Sequence, residues 1–225
     1  MDTVPVIGGT GALGFAVALR LAHAGVPIAI GSRDAGRAEE AAGRIRERVP
    51  GATAEGLENG EAAGSGPIVL LCVPFRAQSE NLNNLRQALG AGQILVDATV
   101  PLAAAVSGKA TRLLGVPQGS AAQQAQEMVP EGVDVVSALH TVSAPILGDL
   151  ERNLDEDVLI AGDSKEAKLR VAELIGRIEG LRPINAGRLE QARHIEALTP
   201  LLISVNINNK THAGVRLTGL PEPRW

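Results

Sequence analysis

Short runs of apolar residues recur along the chain, at residues 4–8, 28–31, 68–73, 94–98, 133–138 and 158–161. They are rich in Val, Ile and Leu and do not alternate with polar residues, which is the pattern of strands buried on both faces of a parallel sheet. Between them lie longer segments with helical spacing: residues 12–24 end at Gly25, residues 35–48 lie between Asp34 and Pro50, and residues 78–89 end at Gly90. Asp34 suits a helix N-cap, because its carboxylate accepts from the free backbone N–H groups of the first turn. Strands and helices in alternation predict an α/β fold, a Rossmann-type, mostly parallel, doubly wound sheet with a small C-terminal helical appendage.

The connecting segments are less regular. Residues 51–66 are small and turn-rich, with one short strand expected near 52–56, and residues 101–119 read as a long loop of a length usually functional or mobile. After Ser164 the pattern predicts a helix to about residue 179, a short strand near 182–184, a long helix from 187 to 206 and an extended piece at 215–218.

Composition narrows the chemistry. The 225 residues are 45% hydrophobic but only 1% aromatic, with two Phe, one Trp and no Tyr, so the core is aliphatic and no tyrosine proton donor exists. Few rings to stack on bases and a net charge of -4 argue against nucleic-acid binding. Cys72, the only cysteine, excludes an internal disulfide and a cysteine metal site, and its apolar run predicts a small buried hydrophobe. No metal site is expected. No apolar run approaches the ~18 residues of a membrane span, so a soluble cytoplasmic protein is expected.

The first apolar run leads into Gly9-Thr10-Gly11-Ala12-Leu13-Gly14 and then directly into a helix, the context in which this glycine spacing marks a dinucleotide loop. Gly9 is expected to permit the tight turn, Gly11 to admit the pyrophosphate and Gly14 to let helix and strand close together. The helix N-terminus offers unpaired N–H groups to phosphate. Where the second strand ends, an NAD-binding chain places a carboxylate against the ribose; this chain has Gly31-Ser32-Arg33, with Arg37 one turn on. Ser32, Arg33 and Arg37, with the Thr10 hydroxyl, predict selection of NADP through its 2′-phosphate, although arginines four apart also occur on solvated helix faces. Residues 1–184 are thus expected to form an extended NADP-binding domain and 185–225 a C-terminal helical segment.

In such sheets the second ligand sits beyond the carboxyl ends of the later strands, here Val73-Pro74-Phe75, Val100-Pro101-Leu102 and His140-Thr141-Val142. Several motifs occur in order along nearly the whole chain: the glycine loop, Gly31-Ser32-Arg33, Gly119-Ser120-Ala121-Ala122, Ser137-Ala138-Leu139-His140-Thr141-Val142, Glu196-Ala197-Leu198-Thr199-Pro200-Leu201 and His212-Ala213-Gly214-Val215-Arg216. Together they resemble the NADPH-dependent coenzyme F420 reductases. The resemblance implies reversible hydride transfer between NADP(H) and an 8-hydroxy-5-deazaflavin, and a homodimer or higher oligomer. It implies that Thr10 to Leu13, Ser32, Arg33 and Arg37 hold NADP, that Val73, Val100 and Ala144 line the nicotinamide beside Pro74 and Pro101, and that His140 and Thr199 hydrogen-bond the deazaflavin near Val142, Leu202 and Gly214. Ala197, where some relatives carry a hydroxyl, and the 101–119 loop depart from the family pattern. The Thr199 hydroxyl is equally suited to bond back into its own helix beside Pro200. A reductase of a flavin or imine on the same scaffold, and a non-catalytic NADP sensor, remain alternatives at this level.

Overall fold

The computed structural model describes residues 2–221 and 225. Eight strands form one sheet in the order β3-β2-β1-β4-β5-β6-β7-β8. The first six, β1 (Val4–Ile7), β2 (Ile28–Ser32), β3 (Ala54–Glu58), β4 (Ile68–Leu71), β5 (Ile94–Asp97) and β6 (Asp134–Ser137), run parallel. β7 (Glu156–Gly162) is antiparallel to β6, and β8 (Leu181–Gly187) is parallel to β7. Every residue of β1, β4 and β5 is buried, as continuous apolar runs require. The reversal at β7 is invisible in the sequence, because a strand covered on both faces carries the same apolar run in either direction.

The helices are α1 (Ala12–His23), α2 (Ala35–Arg48), α3 (Asn59–Gly64), α4 (Gln78–Leu85), α5 (Ala121–Met128), α6 (Ala144–Leu147), α7 (Lys165–Ile175) and α8 (Ala192–Asn209). The pattern does not announce α3, α5 or α6. α3 is six residues with two glycines, and the buried face of α5 is only Ala121, Ala122 and Ala125, so neither writes an apolar stripe. Three expected boundaries are corrected: α4 ends at Leu85, α7 at Ile175 before Gly176, and α8 starts at Ala192 because β8 continues to Gly187. The extended piece at 215–218 joins no strand of the sheet.

Alternate strand residues face opposite sides of the sheet, and the core divides accordingly. Val4, Val6, Ile28, Ile30 and Leu70 pack with α1, α2 and α7, whereas Ile7, Ala29, Val69 and Leu71 pack with α3, α4 and α5. The largest fully buried side chains are all Ile or Leu. Phe15 of α1 joins the first cluster beneath the Arg44 guanidinium, 4.3 Å from the ring centroid. Among the described residues no helix is long and apolar enough to cross a membrane.

Candidate functional site: a dinucleotide cleft and an adjoining cavity

β1 leaves the sheet through a turn in which Gly9 N–H donates to Val6 O at 3.1 Å and Gly11 N–H to Gly8 O at 2.9 Å. The residue with φ of +80° is Gly8, one position before the glycine to which the fingerprint assigned the tight turn. Gly8 occupies the third position of the Val6–Gly9 turn, where positive φ favours glycine. Gly9 is required instead by packing, since a Cβ would stand 2.9 Å from Ile30 Cδ1 and Val6 O. At Gly14 a Cβ would lie 2.5 Å from Gly8 O, so only glycine lets α1 close on the turn. The α1 N-terminus carries no side-chain cap, which leaves its N–H groups open to a phosphate.

Beside this turn is a cleft of about 370 Å³, lined by Thr10, Gly11, Ser32, Arg33 and Arg37 on one side and Val73 and Pro74 on the other. Ala12, Leu13 and Gly14 form the first turn of α1, with Leu13 packed on the core, and Gly9 is buried in the loop. Asp34 caps α2 as expected, accepting from Arg37 N–H at 3.2 Å. The Arg33 and Arg37 side chains are exposed and, among the described residues, pair with no carboxylate. Unpaired guanidinium groups at the end of β2 fit an anionic ligand better than a salt-bridged surface. Asn59 and Asn81 also line the cleft, joined by an Asn59 Nδ2 to Asn81 Oδ1 bond of 3.3 Å. In the sequence nothing local distinguishes these two asparagines from surface residues, although Asn81 is buried. Cys72 is buried at the cleft wall, and burial pushes its thiol up to about 12, so it stays protonated.

A second cavity, of about 360 Å³, brings His140, Thr141 and Val142 from the end of β6 together with Thr199 and Leu202 of α8 and with His212 beyond it. Thr199 Oγ1 donates to His140 O at 2.9 Å, so the hydroxyl bridges α8 to the β6 loop rather than bonding back into its own helix. Leu139 is buried at φ +69°. That conformation costs a branched residue about 1–3 kcal/mol and turns the chain just before His140. His140 is 5% exposed, and among the described residues its ring nitrogens make no hydrogen bond of ordinary geometry, with the Thr99 backbone as the nearest polar neighbour. Burial pulls its pKa down to about 4, with the nearby Thr99 backbone acting in the opposite sense. The imidazole is therefore neutral at pH 7 and carries a single N–H.

Val100, Pro101, Ala144 and Gly214 line neither cavity. Val100 and Pro101 follow the buried Thr99, Ala144 opens α6, and Gly214 packs on Glu156. The two departures from the family pattern also fall outside: Ala197 is exposed, and no residue of the 101–119 loop reaches either cavity.

One functional feature that sequence reading missed is Glu196. It is buried on α8, and its two carboxylate oxygens accept from Ala121 N–H at 3.0 Å and Ala122 N–H at 3.1 Å. The Gly119-Ser120-Ala121-Ala122 and Glu196 motifs thus explain each other, since one is the receptor for the other. Burial pushes the Glu196 carboxyl up to about 8, despite the two N–H donors, and Asp97 adds to the rise. Asp97, at the end of β5, accepts from Thr99 N–H, Thr99 Oγ1 and Gln78 Nε2, and burial raises it to about 6. Gln78 Nε2 also donates to Ala121 O. This network ties α4, β5, α5 and α8 together.

A family model described as NADP oxidoreductase, coenzyme F420-dependent, matches residues 3–101. Over 97% of its length the chain is 42% identical to a protein of Methanothermobacter thermautotrophicus named F420-dependent NADP reductase, covering 96% of that protein. Identity to the F420-dependent NADP reductase of Methanocaldococcus jannaschii is 43%, over 96% of this chain and 98% of the other. The fold is similar to a crystal structure of a putative F420-dependent NADP reductase from Arthrobacter sp. FB24, with a TM-score of 0.72, 26% identity, and coverage of 93% of this chain and 94% of that one.

Proposed function

Since this chain belongs to the family of F420-dependent NADP reductases, we propose that it transfers hydride reversibly between NADP(H) and coenzyme F420, an 8-hydroxy-5-deazaflavin. The observation that carries the reading is the pairing of two cavities at the carboxyl edge of one sheet. One offers unpaired arginines and an uncapped helix N-terminus. The other combines aliphatic side chains with neutral polar ones, has no carboxylate in its lining, and includes the buried His140.

In this reading Thr10, Ser32, Arg33 and Arg37 hold the 2′-phosphate end of NADP, and the α1 N-terminus, from Gly11 to Gly14, takes the pyrophosphate. Val73 and Pro74 shape the nicotinamide end. Val142 and Leu202 wall the deazaflavin, His140 donates its single N–H to the ring as charge develops there, and Thr199 fixes the His140 main chain. The cofactors supply the hydride chemistry when bound, which passes between two carbon centres. The protein's task is to hold those carbons about 3–3.5 Å apart and to keep water out. A neutral His140 stabilises charge by hydrogen bonding and does not serve as a proton store.

A dinucleotide-binding part, 1–184, and an acceptor-closing segment, 185–225, belong to the same reading, with the boundary inside β8 and with His140 and Val142 of the first part also in the acceptor cavity. A homodimer is the proposed assembly, supported by Leu201, Val205 and Ile207 exposed on α8; sedimentation at the mass of one protomer would contradict it. Cytoplasmic location and the absence of a nucleic-acid partner are part of the proposal, the latter in keeping with the net charge of -4. The test is to mix the protein with NADPH and oxidised F420. Loss of the visible absorbance band of F420 is expected; reduction of free flavin or an imine alone, or NADP binding without turnover, would overturn the reading.

A further inference from the structure

Residues 211–217 follow α8 without forming a helix or strand, yet they are tied down at several points. Ala213 N–H donates to Asn206 Oδ1 at 2.7 Å, and Asn206 Nδ2 returns a bond of 3.4 Å to Ala213 O. Ser143 Oγ lies 3.2 Å from His212 Nδ1. Further along, Asp157 N–H donates to Val215 O at 2.7 Å, and Leu217 N–H donates to Asp157 Oδ2 at 2.6 Å. Gly214 lies so close to Glu156 that a Cβ would stand 2.3 Å from its carboxyl carbon.

Asp157 is the centre of these ties. Its side chain is wholly buried and receives a fork from Arg182, with Nε and Nη2 both at 2.8 Å, and a third guanidinium contact from Arg216 at 3.3 Å. Arg182 Nη2 also donates to Leu217 O at 2.7 Å, and Arg216 reaches Asp155 at 3.0 Å. Forked arginine–carboxylate pairs are among the stronger and more directional polar contacts. Burial pushes the Asp157 carboxyl up, but the Arg182 and Leu217 hydrogen bonds and the two arginine charges outweigh it and hold the group below its ordinary value.

The strand reversal explains why this cluster stands where it does. β7 is antiparallel to β6 with Ser137 opposite Ala161, so the first residues of β7 project past the carboxyl end of β6, toward the 140–143 segment. Thr211, His212 and Ala213 form part of the wall of the cavity around His140, and none of them lines the dinucleotide cleft.

We propose that Asp157, acting through Arg182 and Arg216, is a positioning residue that holds the 211–217 strap as the outer wall of the acceptor cavity and thereby sets affinity for the acceptor. The inference rests on the reading of that cavity as the deazaflavin site. A wall that is correctly placed in only about one tenth of molecules weakens apparent acceptor binding about tenfold, with the bound complex unchanged.

The test compares wild type with Arg216→Ala and Asp157→Asn, the first of which removes an exposed side chain and spares the core. Both variants are expected to raise KM for F420 about tenfold, with kcat at saturating F420 and KM for NADPH within about twofold of wild type, and Arg216→Lys is expected to recover part of the loss. Amide exchange at Leu217, measured on the whole protein without acceptor, is expected to speed up in both variants. An unchanged KM for F420, an equal rise in both KM values with a fall in Tm, or unchanged Leu217 exchange would overturn the proposal. If wild type fails to reduce F420, the functional reading fails, and exchange at Leu217 still decides whether the clamp orders the strap.

Discussion

Arg33→Ala is expected to raise KM for NADPH about 10²-fold and KM for NADH less than about threefold. The asymmetry follows from where the guanidinium stands. It lies at the end of β2, lines the cleft beside Ser32 and Arg37, and pairs with no carboxylate among the described residues. Its removal therefore leaves no buried charge stranded, and the loss is confined to whatever anion it meets. A charge-assisted hydrogen bond contributes about 1.5–3 kcal/mol, and about 1.4 kcal/mol is tenfold. NADH lacks the 2′-phosphate and should be nearly indifferent. Steady-state kinetics with both nucleotides decides it: equal, small changes would return Arg33 and Arg37 to the solvated helix face that their spacing also allows.

The second large effect is expected at His140. His140→Ala should lower kcat for F420 reduction about 10²-fold, the usual cost of removing one donor aimed at developing charge, while the Kd for NADPH stays within about twofold. The variant is clean because the bond from Thr199 goes to the His140 carbonyl, which alanine retains, so α8 keeps its anchor. His140→Asn, which restores an N–H donor, is expected to recover part of the rate. The pH profile should show no inflection from His140 near neutrality, because burial has moved its titration to about 4. Unchanged kcat in His140→Ala would reduce the side chain to a packing element.

Features written in neighbouring residues were legible before the fold was known. The apolar runs gave six of the eight strands, the glycine spacing marked the dinucleotide turn, and Ser32, Arg33 and Arg37 fall together because one strand end and one helical turn place them so. The features that escaped depend on pairing across the chain. Glu196 reads as an ordinary helix residue until the fold sets it on the N–H groups of Ala121 and Ala122, some 75 positions earlier. Asp157 is one charge among many until the parallel pairing of β7 with β8 sets it opposite Arg182 and the strap brings Arg216 to it. Thr199 had two sensible readings by local rules, a bond to the acceptor or one back into its own helix, and its contact with the His140 carbonyl, 59 residues away, is neither. The shift from Gly9 to Gly8 is smaller in kind: spacing located the turn, but which glycine carries positive φ depends on the bond closing it.

The scarcity of aromatic residues takes on a more specific meaning at the acceptor cavity. Phe15 is committed to the core and Trp225 packs against that same cluster, and the large apolar side chains of the cavity wall are Val142, Leu202, Ile203 and Ile207, with no Phe or Trp in the lining. In this account the deazaflavin stacks on the nicotinamide and on aliphatic side chains, so ring alignment depends on the two cofactors and on the helix and strap that enclose them.

Direct hydride transfer between the two rings is the central claim, and isotope transfer tests it most directly. NADPH carrying deuterium in one or the other of its two C4 positions is mixed with the protein and oxidised F420, and the reduced deazaflavin is examined by mass spectrometry. The account predicts that one of the two labelled forms, and only one, delivers its deuterium to C5 of the deazaflavin, while reduced F420 carrying solvent hydrogen at C5 would contradict it.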